Sequence, residues 1–597
     1  MKALKTGVSS IQNALRLLWK VSPFYLCLTL LLSGVMGLFT PLSLWVWQNL
    51  IDSVTHSIDK AALEPSVVLY LAMSGGVSLL TVLIDRANQY VSRIFANTVE
   101  YKTTERILQS VVDYSMEQYD DPETYNKIDM AIRETPSRCL DILDTIAQVI
   151  TSLVQILGCA AILTSFGSII LLLSLISAIP LFLADYLNNR YWFKTVTGRL
   201  EKNRLITYLK ELLIKNENIK ELKLFQNSRA LIKKITDMYN SFLASDRKAR
   251  KKYAFRAASV SGFNILVHFF VNVVIVFQSV AHRTTIGQVT MQISSAESFR
   301  SSLNLLIGEI STMHDHSLYM QAISELESSS KVSYTECLPM PASFQSIIFH
   351  NVSFVYPGTS QPVLKNINLT LRSNSSYAIV GLNGSGKTTL LKLLLKMYRP
   401  TSGYITLDGI NIEQIDTETY YQTISAVFQD FIHFPFSVRE NITGVLDGIP
   451  DSSVAEAASL SSADRFICRL PHGYDTTLMR EWNDGTELSL GQWQMIAIAR
   501  CFCRNASIYI LDEPFSALDP LAEIEVIKNV ARKKENKMCL FITHRMTSIV
   551  LADEIIVLET GELKGMGTHA QLVKTCPLYQ QLYNAQADAV EALNHSK

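Results

Sequence analysis

The chain lacks net charge: 54 basic residues stand against 54 acidic ones in 597 residues. That balance removes the electrostatic case for a nucleic-acid partner or any other partner read through overall charge. Paired cysteine spacing is missing too. The nine cysteines are scattered, and Cys501 and Cys503 stand two apart rather than as a CxxC, which reads as reduced thiols in core or membrane. His314 and His316 fall on different faces of a helix, which argues against a metal site there. The most informative absence is local. No charged residue occurs between Lys20 and Asp52, in 65–84 or in 145–184. The first of these runs is too long for a signal peptide and has no small-residue cleavage site behind it.

A bilayer core takes about 20 apolar residues per helix. The runs therefore predict spans at about 23–50 and 65–88, and two more, 142–164 and 168–188, joined by a tight turn at Thr164–Ser168. A fifth is expected at 257–281, interrupted only by His268. A sixth at 286–312 is the weakest, because it contains Glu297, Arg300 and Glu309. An even count returns the chain to the side it started from.

Orientation follows from the connections. Segment 85–144 carries seven Lys and Arg and 185–257 carries eighteen, against one, none and one in 52–64, 164–168 and 282–285. Positive residues stay inside, so the two long segments and both termini are expected in the cytoplasm, with the chain in the plasma or inner membrane. The long segments read as cytosolic extensions of the membrane helices, with short docking stretches near 120–132 and 216–228. Pro122 after Asp120 and Asp121 suits a helix start.

Polar residues inside membrane helices are costly and face a cavity or the bundle interior. Asn264, His268 and Asn272 form one stripe of the fifth span, and Glu297, Arg300 and Asn304 one of the sixth. They suit the lining of a translocation path. They equally suit helix–helix hydrogen bonds with an internal Glu297–Arg300 pair, and both readings stay open here.

The region 346–585 mixes charge and apolar strands as a soluble α/β domain does, after a linker at 326–345 and before a tail at 586–597. Residues 346–356 and 363–371 alternate as strands. The apolar strand Tyr377–Val380 then runs into Gly381-Leu-Asn383-Gly384-Ser385-Gly386-Lys387-Thr388-Thr389. Glycines there let backbone N–H groups turn toward phosphates, and the helix that follows aims its positive end at the same point. Lys387 adds charge for the β- and γ-phosphates, and Thr388 offers a hydroxyl to Mg²⁺. A second apolar strand, Ser507–Leu511, ends at Asp512, placed to hold Mg²⁺, and Glu513, placed to polarise an attacking water. Tyr356 could stack on adenine.

Between and after these elements stand Gln429, Leu488-Ser489-Leu490-Gly491-Gln492, Asp519 and His544. The ordered set resembles the nucleotide-binding domain of ABC transporters, and six spans ahead of it on one chain resemble the half-transporter exporter. The resemblance implies a fold of six transmembrane helices (1–325) followed by an α/β P-loop domain, with ATP and Mg²⁺ as its cofactors. It implies that Gln429 links the Mg²⁺ site to the membrane domain and that Ser489, Gly491 and Gln492 form the signature loop. It makes Asp519 a dimer-contact residue and His544 the γ-phosphate histidine. In this family each ATP lies between the P-loop of one subunit and the signature loop of the other. One chain carries one set, so a second half-transporter is required, and intact Glu513 and His544 favour a homodimer.

The similarity extends further. Gly491–Gln494, Phe428–Phe431, Ala506–Glu513, Asp120–Tyr125 and Cys576–Tyr583 resemble peptidase-free exporters of lantibiotics and related bacteriocins, of the nisin and subtilin type. The implied cargo is a lantibiotic-like or other amphipathic peptide, with a lipid flippase or multidrug exporter as the alternative. Outside transporters, a regulatory membrane ATPase or ATP-gated channel is the rival. The roughly twenty residues ahead of the first span leave no room for a fused leader peptidase. Two departures stand out: Leu490 replaces a signature glycine, and Glu481–Gly485 does not match the TxVGExG pattern of many exporters.

Overall fold

Prolines open the first two long helices, where a missing N–H costs nothing: α1 (Pro23–Asp59) and α2 (Pro65–Val112). The computed structural model describes residues 15–16, 18–165, 170–173, 175, 180, 195, 198–329, 338–341, 343–482, 484–518, 520–532, 537–543, 549 and 552–585. The chain forms two compact units, one of Met1–Asp113 with Asn126–Lys331 and one of Tyr114–Tyr125 with Val332–Lys597.

The first unit is helical. After α1 and α2, and past the short helix α3 (Met116–Asp120) that belongs to the other unit, come α4 (Pro122–Thr164), α5 (Leu200–Ile214), α6 (Asn216–Leu224), α7 (Ser228–His282) and α8 (Ile286–Ser329). Their apolar residues do two things. Cys159, Leu163, Ile170, Val271, Ile275, Ala296 and Phe299 pack together inside. Leu69, Leu79, Leu83, Phe269, Phe270 and Phe277 stay exposed, an outward apolar coat that water would penalise and lipid would not. Polar groups tie the helices at several points among the described residues, two of them around Gln155 and Asp52. Gln155 donates to Thr40 Oγ1 (3.0 Å) and accepts from Ser302 Oγ (2.8 Å). Asp52 accepts from Thr285 Oγ1 (2.8 Å) and from the Gly287 N–H (2.9 Å), placing a carboxylate on the first turn of α8, where a helix favours negative charge.

Among the described residues four helices are long and apolar enough to cross a membrane: Pro23–Asp59, Pro65–Val112, Asp141–Thr164 and Ser228–His282. The expected count of six is therefore shown only in part. The 168–188 segment lies almost wholly outside the described residues, and the sixth segment forms a helix, α8, whose Glu297, Arg300 and Glu309 keep it from reading as apolar. The short helix in this region ends at Asp120, where the expected 120–132 stretch begins. It is α3, started by a capping box in which Ser115 and Gln118 satisfy each other's backbone N–H groups. Pro122 instead opens α4. The expected 216–228 stretch holds α6, whose last turn and C-cap carry the exposed Leu224 and Phe225.

The second unit holds two sheets. One is antiparallel, in the order β2 (Leu364–Arg372), β1 (Ser346–Phe354), β4 (Ser402–Leu407), β5 (Ile410–Asn411). The other runs β10 (Glu562–Gly567), β9 (Glu554–Glu559), β3 (Ser376–Val380), β8 (Met538–Ile542), β7 (Ile508–Asp512), β6 (Ile424–Val427), parallel from β9 to β6. Strands β3, β7 and β8 are buried along their whole length, which is why they read as apolar runs rather than alternations. Their carboxyl ends open on one edge, where ligands of open α/β sheets bind.

Candidate functional site

β3 delivers the chain at Val380 into the glycine-rich turn, and α9 (Lys387–Leu394) leaves it. Gly386 caps that helix at φ +99°, and a Cβ there would lie 2.6 Å from Leu364 Cδ2, so a side chain would be both strained and crowded. Lys387 is buried, and its ammonium donates to the carbonyls of Gly381 (3.0 Å) and Leu382 (3.1 Å). Burial pulls its pKa below the usual lysine range, opposed by the Glu513 and Asp512 carboxylates. Ser385 Oγ is buried without a partner among the described residues. Asn383, Gly384 and Thr388 are exposed on the turn, and the buried Thr389 meets the Tyr356 hydroxyl at 3.1 Å.

Two strands away in the same sheet, β7 ends at Asp512, which is only 4% exposed. Burial raises its pKa above the ordinary carboxylate value, while a hydrogen bond from Thr388 and the Lys387 charge work the other way. Thr388 and Asp512 thus meet from the two strand ends as an oxygen pair suited to a hard cation, and Mg²⁺ fits that donor set. Gln429 lies at the same edge.

A raised folded-state pKa means that the ionised Asp512 costs the fold stability. That cost is absent when the carboxyl is protonated in acid and grows as pH rises through its elevated pKa. Asp512→Asn should therefore melt at a higher temperature than the parent at pH 8 without nucleotide. The gap should shrink as pH falls through the carboxylate range, read by thermal melts across pH. A lower melting temperature at pH 8 would contradict this.

Glu513 follows with φ +47°, a left-handed backbone that a non-glycine residue holds at about 1–3 kcal/mol. Its N–H donates to Ile542 O (3.1 Å), and Gln429 Nε2 donates to its Oε2 (3.3 Å), so the carboxylate is aimed from β6 and β8 together.

The signature residues start α10 (Leu490–Cys503). Ser489 is its N-cap, accepting from the Gln492 N–H (3.3 Å) while Gln492 Oε1 accepts from the Ser489 N–H (2.9 Å). Leu490 is the first helical residue and 64% exposed. The position has ordinary helical backbone, so glycine is not needed there and leucine costs no strain. Gly491 differs: a Cβ would come 2.7 Å from Ala517 O. Asp519 and His544 lie outside the described residues.

Two residues of this site were missed in the sequence. Gln494, buried on α10, donates to Glu513 O (3.3 Å) and Ser516 Oγ (3.1 Å) and accepts from the Ala517 N–H (2.8 Å), joining the signature helix to the loop after Glu513. Tyr398, 2% exposed, packs edge-on to Tyr356 (5.3 Å, 81°). A polar side chain on the buried face of an apolar helix, and an aromatic just before Pro400, were the signals available.

In the helical unit the two polar stripes are present. Asn264 is buried, His268 and Asn272 half-buried, and the electrostatic field at His268 includes both Arg300 and Glu297. Asn264 Oδ1, Asn272 Oδ1, Asn304 Oδ1 and Arg300 Nε are buried with no hydrogen-bond partner among the described residues. No ion pair between Glu297 and Arg300 is present among the described residues. The seven described cysteines are all free, and no group of His, Cys, Asp and Glu among the described residues could hold a metal ion by clustering alone.

Comparison with known proteins adds four findings. Residues 364–516 match the ABC transporter family model. The subtilin transport ATP-binding protein SpaT of Bacillus subtilis is 33% identical over 555 residues, covering 92% of this chain and 90% of that protein. The nisin transport ATP-binding protein NisT of Lactococcus lactis subsp. lactis is 28% identical over 595 residues, covering 97% and 96%. Among solved structures, a bacterial Atm1-family ABC exporter with ATP bound superposes with a TM-score of 0.74 at 20% identity, over 94% of this chain and 97% of that one.

Proposed function

Because the chain belongs to the ABC transporter family and is an ATP-hydrolysing membrane exporter, we propose that its cargo is a lantibiotic-like peptide and that two copies form the working transporter. The observation that carries the cargo reading is the likeness to a subtilin transporter along 90% of that protein, membrane half included. A motor-only likeness would say nothing of cargo. In this reading the membrane domain spans 1–325 with six helices, the four apolar ones together with 168–188 and 286–312. The motor occupies 346–585. The excess of Lys and Arg in 85–144 and 185–257 supports a cytoplasmic motor and termini in a plasma or inner membrane.

In the motor, Tyr356 stacks on adenine, and Gly381 to Thr389 wrap the phosphates. Lys387 exchanges its two carbonyl partners for phosphate oxygens. Thr388, Gln429 and Asp512 would hold Mg²⁺, which when bound offsets phosphate charge. Glu513 orients the attacking water and takes its proton, and His544 assists at the γ-phosphate. Ser489, Gly491 and Gln492 complete the site of the second copy, with Asp519 at the shared face. The exposed Leu490 would then meet the partner's nucleotide side with an apolar chain where glycine is usual. Closure of the two motors, relayed through α3 and α6, opens the cavity outward, and hydrolysis resets it.

Asn264, His268, Asn272, Glu297, Arg300 and Asn304 line the path. Buried amide oxygens and a guanidinium N–H left without partners in an apolar bundle suit a cargo rich in peptide groups. Glu297→Gln should slow peptide export by about tenfold, equal to about 1.4 kcal/mol on the barrier, with ATP binding unchanged. Equal export by the variant and parent in a vesicle assay would refute the path.

A further inference from the structure

The nucleotide edge and the short helix α3 are joined by one side chain that neither the phosphate chemistry nor the signature uses. Tyr398 follows the phosphate-binding helix and is 2% exposed. Its ring packs against Phe354 (5.4 Å) and Tyr356 (5.3 Å), which pack on each other at 4.9 Å, so the three form one aromatic cluster. The Lys392 ammonium lies 5.7 Å from the rings of both Tyr356 and Tyr398. Tyr356, the half-buried member, is held at its far end by Thr389 of the phosphate turn (3.1 Å). The Tyr398 hydroxyl donates to the Asp120 carboxylate of α3, and the neighbouring Arg399 N–H reaches Glu117 Oε1 of α3 at 3.4 Å. All of these residues belong to one compact unit, while α3 is joined by the chain itself to α2 and α4.

A phenol buried this completely has no solvent to replace a lost partner, and its ring is held by two others, edge-on by Tyr356 and tilted by Phe354. The Tyr398 ring can therefore change direction only if the Asp120 bond breaks or Tyr356 moves with it. We propose that Tyr398 is a positioning residue for the nucleotide base: by anchoring on Asp120 it holds Tyr356 in its stacking position, so that base binding and the placement of α3 bias each other. This rests on Tyr356 being the base-stacking residue. Coupling of this kind is reciprocal, so a displaced α3 weakens base binding to the extent that bound base restrains α3.

The test uses the full-length transporter in lipid nanodiscs and two probes: MgATP, and magnesium tripolyphosphate, which has the phosphates without the base. Tyr398→Phe keeps the ring and removes the hydroxyl, and Asp120→Asn weakens the acceptor from the other side. Each should reduce MgATP affinity by at least about fivefold and leave tripolyphosphate affinity unchanged. In a Tyr356→Ala background neither should have a further effect on MgATP. A merely structural defect would weaken both probes alike, and that result overturns the proposal, as does unchanged MgATP binding in both single variants. If Tyr356→Ala alone leaves the ratio of the two affinities unchanged, the base-stacking reading fails and takes the proposal with it. If Tyr356→Ala shifts that ratio while Tyr398→Phe and Asp120→Asn do not, only the proposal fails.

Discussion

Glu513→Gln should keep ATP bound and all but stop its turnover. Glutamine matches the carboxylate in size and keeps an oxygen for the Gln429 amide, which lies 3.3 Å from Glu513 Oε2, so the local geometry should survive. What disappears is the negative charge and the capacity to take a proton. Positioned general-base chemistry contributes about 10²- to 10⁴-fold, and a fall of at least about 10²-fold in phosphate release is expected, with ATP affinity within about threefold of the parent because the phosphate contacts remain. The strained φ of +47° at this residue adds a second reason for confining the change to the side-chain terminus, since the backbone there is already held against its preference. Phosphate release and nucleotide binding measured on the same preparation check both halves. Normal turnover in the variant would remove Glu513 from the catalytic role.

Lys387→Ala should fail one step earlier, at binding. The lysine is buried, its ammonium is held by the Gly381 and Leu382 carbonyls, and burial already lowers its pKa. Alanine leaves those carbonyls facing the phosphates with no cation between them. Losing one member of a buried charged pair costs about 2–5 kcal/mol, so MgATP affinity should fall by roughly 10²-fold or more. Equilibrium binding of labelled ATP reads this directly. Together the two variants separate the site into a part that binds and a part that reacts. Parent-like affinity in Lys387→Ala would contradict that division.

Much of the motor was legible in sequence because its chemistry is local. The turn from 381 to 389 needs consecutive residues, β3 and β7 are apolar runs short enough to be buried strands, and Asp512 and Glu513 sit where β7 ends. Contacts between distant segments were not legible. Nothing in the spacing of Gln429 and Glu513, 84 residues apart, shows that they touch, and the same holds for Tyr398 and Asp120, 278 apart. Pro122 after two aspartates is a strong helix start in the sequence. It is one, but of the long α4, while the weaker Ser115–Gln118 capping box starts the short helix. In the membrane half, hydropathy marks helices that face lipid. α8 carries Glu297, Arg300 and Glu309 and so gives a weak signal even though it forms a continuous helix. Compared residue by residue, Leu490 departs from a glycine motif. As the first residue of α10 it has ordinary helical backbone, and the demand for glycine falls on Gly491 instead.

The central claim, that this ATPase moves a lanthionine-containing peptide outward, is tested most directly by uptake into inside-out vesicles holding only this chain. A lanthionine peptide still carrying its leader would be offered outside, with MgATP, with a non-hydrolysable analogue, or with the Glu513→Gln variant. The account predicts peptide accumulation inside the vesicles with MgATP and the parent protein alone. Equal peptide inside under all three conditions, or none under any while ATP is being hydrolysed, would contradict it.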